Sequence, residues 1–411
     1  MIIAGEASGD LLAAELVQAI RDEFEALAFV PTNDFQPLQT SLEPRFFGAG
    51  GPQMAEAGVE LIIEMVKHSV TGFSDVIKNL GKFRRFIHQL YRLALERRPD
   101  AIICVDFSGF NRRVAHAIKE YTRGHTGWFH EWNPKIIQYV SPQVWASRAG
   151  RAQAMKEDFD LLLSTFPFEK DWYAKHTPGF RVEFVGNPIV DRHQGKKIQA
   201  KGNGGSDKIK VLLLPGSRRD ELRRHLPVML DSLTKIQTEM PNVRGRMVLP
   251  NEDLAKLALR FNVPAGVRVD IGGLAEALVE AEVAIASTGT VTMECAYFGV
   301  STVALYKTSW LTYAIGKQIA QVRHLAMPNL LANEEIVPEF IQHEATADNI
   351  AGATLEFLRD ANRRKVTACK LRAIITSLGG PGASHRAAKL ITGLLMGRVD
   401  QRVSVGATTR S

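Results

Sequence analysis

The sequence lacks most of the features that mark secreted, membrane-spanning or metal-stapled chains. It holds only three cysteines, Cys104, Cys295 and Cys369, far apart and without a CxxC pair. So odd and scattered a set excludes a disulfide framework or a zinc ribbon and points to a reducing compartment. No run of 18 apolar residues free of charge occurs, so no bilayer-spanning helix is expected. The opening MIIAGEASGD has no basic stretch and meets Glu6 and Asp10 at once, which is not the pattern of a signal peptide. HExxH, GxSxG, the GxxxxGK[ST] phosphate loop and acidic metal clusters are missing, and no metal is expected. FGAGGP begins like a dinucleotide fingerprint, with Gly48 and Gly50, but Gln53 stands where a third glycine is required. A nicotinamide cofactor is therefore rejected.

What is present is an ordinary globular composition, 45% hydrophobic and 23% charged over 411 residues. At roughly 150 residues per domain this length implies two to three domains. Lys and Arg number 51 against 44 Asp and Glu, a net +7, which suggests an anionic partner: phosphates, nucleic acid or a membrane face. Residues 1–190 alternate apolar, strand-like runs (MIIAG, AIICVD, KIIQYVSP, DLLLSTFP, RVEFVGNP) with helical patterns. Residues 191–209 carry four Gly and four Lys with no apolar period, and read as a linker. The alternation restarts over 210–372 in KVLLLPGSRRDE, RGRMVLP, VRVDI, VAIASTGT and STVALYK. A helical segment at 373–397 is a candidate to pack back on the first domain, and 398–411 reads as a disordered tail. Apolar strands joined by helices predict two Rossmann-like α/β domains with parallel sheets, facing a cleft. Ligands in such sheets sit beyond the carboxyl ends of the strands.

The residues just after strands are therefore the candidates. LLLPGSRRDE ends a strand in Pro-Gly, followed by Ser217 and Arg218. Gly216 lets backbone N–H groups approach an anion and an arginine fork holds phosphate; a plain turn capped by Ser217 is the alternative. In ASTGTVTMEC, Ser287, Thr288, Gly289 and Thr290 open a helix as a diphosphate cradle, and Glu294 one turn on can accept both hydroxyls of a ribose. The alternative there is an ordinary helix cap. Asp106 ends AIICVD, where a general base would take a proton from a sugar hydroxyl; an aspartate that stabilises its own turn is the alternative. GEASGD follows the first strand, and its Gly5 and Gly9 permit close backbone approach, with Ser8 a plain N-cap on the other reading. Over 77–98, Leu80, Phe83, Ile87, Leu90 and Ala94 recur at helical spacing while Lys78, Lys82, Arg85 and Arg92 share another face. That is either a membrane-surface helix or a domain helix with a solvated cationic face.

GEASGD, VDFSGFN, QYVSPQVWASR, FPFEKDWY, FVGNP, LPGSR, ASTGTVTMEC and MPNLLANEEIVPEFIQ together resemble the lipid-A-disaccharide synthase family, in the same order over 1–395. The resemblance implies a two-domain glycosyltransferase of GT-B architecture. Its members join UDP-2,3-diacylglucosamine to 2,3-diacylglucosamine 1-phosphate, giving the β-1,6-linked disaccharide and UDP. It implies a peripheral protein on the cytoplasmic face of the Gram-negative inner membrane, with no metal or other cofactor and no nucleic acid. By resemblance the catalytic aspartate is Asp106, the phosphate arginine Arg218, the ribose carboxylate Glu294, and a UDP-side asparagine Asn329. Gly5, Glu6, Ser8, Gly9, Asp10 and Asn187 become substrate-cleft residues, and Phe83, Arg84, Arg85 and Ile87 membrane contacts.

The chain departs from the family pattern at Gly109 (often Asp), Asn187 (often His), Ser147 (often Trp) and Asn333-Glu334 (often Gly-Arg). The last removes a cation beside the nucleotide site. Segments 31–44 and 122–134 look like insertions. The first strand starts a few residues late, which places the expected start codon upstream. The expected mechanism is inverting. Asp106 deprotonates the acceptor 6-hydroxyl, and Arg218 with the 287–290 turn holds the departing UDP, so that no divalent ion is required. The rival readings are a UDP-sugar epimerase or another lipid-linked sugar transferase on the same plan, a nucleic-acid binder, and a membrane scaffold without catalysis.

Overall fold

The computed structural model describes residues 1–28, 43–66, 73–125, 131–147, 149–195, 209–310, 313 and 322–407, and the side chains of these except 73–80, 147 and 398–407. Most of the linker (196–208), residues 31–42 and 126–130 of the two apparent insertions, and the end of the tail (408–411) lie outside the described residues. By packing the chain forms two units. One is built from the chain up to Asp191, but for a few residues around Phe73, together with Gly379 onward; the other is built from Arg192–Leu378.

The first unit is a seven-stranded parallel sheet, order β3-β2-β1-β4-β5-β6-β7. Its strands are β1 (Ile2–Ala4), β2 (Phe47–Gly50), β3 (Glu60–Glu64), β4 (Ala101–Val105), β5 (Lys135–Tyr139), β6 (Leu161–Ser164) and β7 (Val182–Phe184). Successive side chains of a strand point to opposite faces, and both faces here are covered. Ile3, Ile102, Cys104 and Ile136 join one core with helices Phe73–Arg97 and Ser108–Gly124. Ile2, Ala4, Ile103, Val105 and Ile137 join the other, against Leu16 and Val17 of helix Ala7–Ala28 and Ala387, Ala388 and Ile391 of the last helix, Ala383–Ala407. Burial on both faces is why the central strands β1 and β4 read as unbroken apolar runs. The last helix runs ten residues past 397, into the stretch that its polar composition marks as a tail; once a packed turn exists, each added helical residue gains a hydrogen bond at little cost.

The second unit is a six-stranded parallel sheet, order β10-β9-β8-β11-β12-β13. Its strands are β8 (Ile209–Leu214), β9 (Val243–Leu249), β10 (Val267–Ile271), β11 (Val283–Ser287), β12 (Ser301–Tyr306) and β13 (Glu339–Ile341). Val211, Leu213, Met247 and Ile285 pack under helices Arg219–Glu239 and Ala347–Arg359. Leu212, Leu214, Ala284 and Ala286 pack under Leu274–Glu280 and Cys295 of Thr290–Tyr297. The edge strands β3 and β13 escape the sequence reading because ELIIE and EFI are short and, but for Ile63, not buried.

Strand order reverses between β1 and β4 in the first sheet and between β8 and β11 in the second. Open α/β sheets bind ligands at such switch points, beyond the carboxyl ends of the strands. The loops that leave those four strands are GEASGD, VDFSGFN, LPGSR and ASTGT. Among the described residues no helix is long and apolar enough to cross a membrane, and no group of three or more His, Cys, Asp or Glu could hold a metal ion.

Candidate active site

In the first unit, Asp106 follows β4 with φ +50°, and Phe107 follows it at +39°. Left-handed backbone costs a non-glycine residue about 1–3 kcal/mol, so surrounding contacts must impose it. They do. The Asp106 backbone N–H donates to Tyr139 O at 2.9 Å. Its carbonyl accepts from Asn111 Nδ2 at 2.8 Å and Gln138 Nε2 at 3.0 Å. Glycine at position 5 lets the β1 loop lie against this turn, since a Cβ there would stand 2.3 Å from Cδ1 of Phe107. Glu6 is half-buried and Ser8 exposed on the same loop.

Four of the residues expected at the substrate or the membrane, Asp10, Asn187, Phe83 and Ile87, have structural partners in this unit. Asp10 is buried and accepts the N–H groups of Gly51, Gln53 and Met54 at 2.7, 3.0 and 3.2 Å. It satisfies the free amides at the start of helix Pro52–Glu56. Asn187 stands after β7, three strands from β4; its Oδ1 accepts from Ile189 N at 3.1 Å and opens helix Pro188–Arg192. The structure thus does not bring it to the β1/β4 switch point. Phe83 is partly buried, its ring 6.1 and 6.0 Å from those of Phe107 and Phe110, and Ile87 packs on the same core. A stripe at i, i+4 and i+7 that continues into buried Leu90 and Ala94 faces the sheet. Arg84 and Arg85 remain exposed.

A buried carboxyl appears that the sequence did not single out. Glu169 accepts from Trp145 Nε1 at 3.0 Å and from Phe166 N at 3.3 Å. Burial pushes its pKa up to about 7, and the contact ties the loop after β5 to helix Pro167–His176.

In the second unit, Gly216 turns the chain at φ +121°, and a Cβ there would meet Glu221 Oε2 at 2.6 Å. Ser217 does not cap the next helix. Its N–H donates to Glu221 Oε2 at 3.2 Å, and Arg218 pairs with the same carboxylate at 3.7 Å. An internal anion thus occupies the donors expected to meet phosphate. Behind the turn, fully buried His225 donates from Nδ1 to Pro215 O at 2.9 Å and accepts at Nε2 from Lys307 N at 3.0 Å. Burial lowers its pKa, so the ring is held in the neutral form that this donor–acceptor pair requires.

Ser287 is buried at the end of β11, and Thr288 N donates to Leu305 O at 3.0 Å. Gly289 has φ +139° with open space where a side chain would be, and Thr290 starts helix Thr290–Tyr297 exposed. Glu294 meets His193 Nε2. The His193 ring lies 5.0 Å from that of Tyr297 and 4.9 Å from that of Phe298, and Tyr297 Oη donates to His193 O at 3.0 Å. Neither His225 nor His193 was a sequence candidate, since nothing local marks a histidine whose partners lie across the fold.

Asn329 is held within its own loop. It is fully buried; its Oδ1 accepts from Ile336 N and Val337 N, both at 2.8 Å, and its Nδ2 donates to Val337 O at 2.6 Å and Glu339 Oε1 at 2.5 Å. All four bonds an amide can make are in use, so the side chain pins its own loop. At the Asn333-Glu334 departure, Asn333 adopts φ +53°, a conformation asparagine tolerates in place of glycine, and Glu334 pairs with Lys370 at 3.1 Å.

Two parallel Rossmann-like sheets, each with a glycine-bearing turn at its switch point, define the two-domain plan of nucleotide-sugar glycosyltransferases and epimerases. Solved structures agree on the fold. The chain matches a Staphylococcus aureus MnaA–UDP co-structure at TM-score 0.60 and 12% identity, covering 96% of each chain. It matches the calicheamicin glycosyltransferase CalG4 at TM-score 0.58 and 13% identity, covering 97% of each. A family model for lipid-A-disaccharide synthetase matches residues 1–391. The lipid-A-disaccharide synthase of Geobacter sulfurreducens is 33% identical over 403 residues, 96% of this chain and 97% of that one. The chain belongs to the lipid-A-disaccharide synthetase family.

Proposed function

We propose that this protein transfers 2,3-diacylglucosamine from its UDP derivative to the 6-hydroxyl of 2,3-diacylglucosamine 1-phosphate, with inversion, forming the β-1,6 disaccharide 1-phosphate and UDP. Membership of the family over nearly the whole chain carries the reading. Asp106 is the general base, because it is a carboxylate on an over-determined, strained turn at the switch point of the first sheet. Arg218 and the Gly289 turn hold the leaving diphosphate, and Arg218 exchanges Glu221 for the nucleotide when it binds. Glu294 holds the ribose. With these cations and amides on the leaving group, the transfer runs without a divalent ion.

The enzyme acts as a peripheral protein on the cytoplasmic face of the inner membrane, where exposed Arg84 and Arg85 meet anionic headgroups. The test is a product assay in detergent with UDP-2,3-diacylglucosamine, with and without the 1-phosphate acceptor. Disaccharide and UDP that form only with both establish the transfer. UDP binding without disaccharide redirects the acceptor assignment to another UDP-sugar reaction.

A further inference from the structure

One buried amide links two left-handed turns of the first unit. Gln138 interrupts the apolar run of β5, is fully buried, and is the register partner of Cys104 in β4. Its Nε2 donates to three main-chain carbonyls: Asp106 O at 3.0 Å, Tyr139 O at 3.2 Å and Val140 O at 3.2 Å. Only the NH₂ end of an amide can face three carbonyls, so its orientation is fixed. Its Oε1 is buried and has no hydrogen-bond partner among the described residues. An amide that leaves its acceptor empty while its donors converge on one place is not a space-filler, because an apolar residue would fill that volume without the desolvation cost. Both turns it reaches are left-handed, Asp106 at φ +50° and Val140 at +68°. For a β-branched valine that region is an outlier, kept only where neighbours impose it.

We propose that Gln138 is a positioning residue for the transfer, the strut that fixes the main-chain stem of Asp106 relative to the Val140 turn. The inference rests on the reading of Asp106 as the base. Asn111, reaching the same Asp106 carbonyl at 2.8 Å from helix Ser108–Gly124, is the second strut. Losing either lets the carboxylate shift, and a displacement of about 1 Å can cost a hundredfold in rate.

The test compares full-length Gln138→Leu with wild type and with Asp106→Asn in the detergent product assay. The expected result for Gln138→Leu is a fall in kcat of about 10- to 100-fold, with KM for the UDP-sugar and Kd for UDP within about threefold of wild type. Near-normal kcat in folded protein overturns the proposal. So does a loss shared between kcat and KM that follows a lowered Tm, which marks a structural role only. If Gln138→Leu does not fold, Asn111→Ala must give the same kcat-selective loss, and its absence overturns the proposal too. If Asp106→Asn keeps its turnover, the assignment of the base has failed, whatever Gln138→Leu does.

Discussion

His225 Nε2 accepts the main-chain N–H of Lys307 at 3.0 Å, while its Nδ1 donates to Pro215 O. One buried ring thus ties the turn after β8 to the end of β12, across β11, beneath the expected diphosphate site. His225→Ala leaves a buried carbonyl and a partly buried N–H without their present partner and is expected to destabilise the second unit by about 2–4 kcal/mol, and to weaken UDP binding. Its folded pKa is below the ordinary histidine value. The stability it contributes is therefore present above about pH 6.5 and is lost as pH falls through the lower folded value. Urea unfolding at pH 5.5 and 7.5 should show a smaller acid loss in the alanine variant than in wild type.

Asp106→Asn keeps the shape of the turn and removes the base. Turnover should fall by about two orders of magnitude or more, with UDP affinity by calorimetry unchanged. Near-normal turnover would take Asp106 out of the mechanism.

Asn329 and Glu294 should separate cleanly. Asn329→Ala breaks four hydrogen bonds, three of them buried, and should cost about 2–4 kcal/mol of stability, while folded protein binds UDP within about threefold of wild type. Glu294→Ala should do the reverse, a modest change in Tm and UDP binding weaker by tenfold or so, the effect of about 1.4 kcal/mol. A large loss of UDP affinity in folded Asn329→Ala would place that residue at the nucleotide site.

Glu169 gives the first unit a pH dependence of the opposite sign to His225. Its folded pKa is raised to about 7 by burial, so its contribution is full below the unfolded value and is lost as pH rises through about 7. The slope cannot exceed roughly 1.4 kcal/mol per pH unit for one proton. Thermal melts from pH 5 to 8 should show wild type losing stability relative to Glu169→Gln as pH rises. Parallel curves would mean that the carboxyl is not protonated in the folded state.

Arg84 and Arg85 are exposed on a helix whose apolar stripe faces its own sheet, so charge rather than apolar insertion should dominate their membrane contact. Reversing both to Glu should lower partition onto anionic vesicles by an order of magnitude or more, at about 1 kcal/mol per lost cation. Raised salt should lower wild-type partition in the same direction. Unchanged co-sedimentation would assign the contact elsewhere.

The sequence by itself determined the two parallel-sheet units and the loops that reach their switch points. Doubly buried strands read as apolar runs, and the small residues after β1, β8 and β11 lie beside those strands in the chain. It also carried the family resemblance, because motif order and spacing are local facts. Only the tertiary structure decided which partners the polar side chains in those motifs take. Asp10 and Asn329 read as site residues, yet Asp10 caps a helix start 41 residues on and Asn329 pins the strand entry at Val337. Conversely, Gln138, His193 and His225 carry no local signal, since their decisive partners lie 32, 101 and 82 residues away. A buried polar group must find its partner wherever the fold brings one within about 3 Å. Sequence spacing cannot display that requirement, whereas packing meets it.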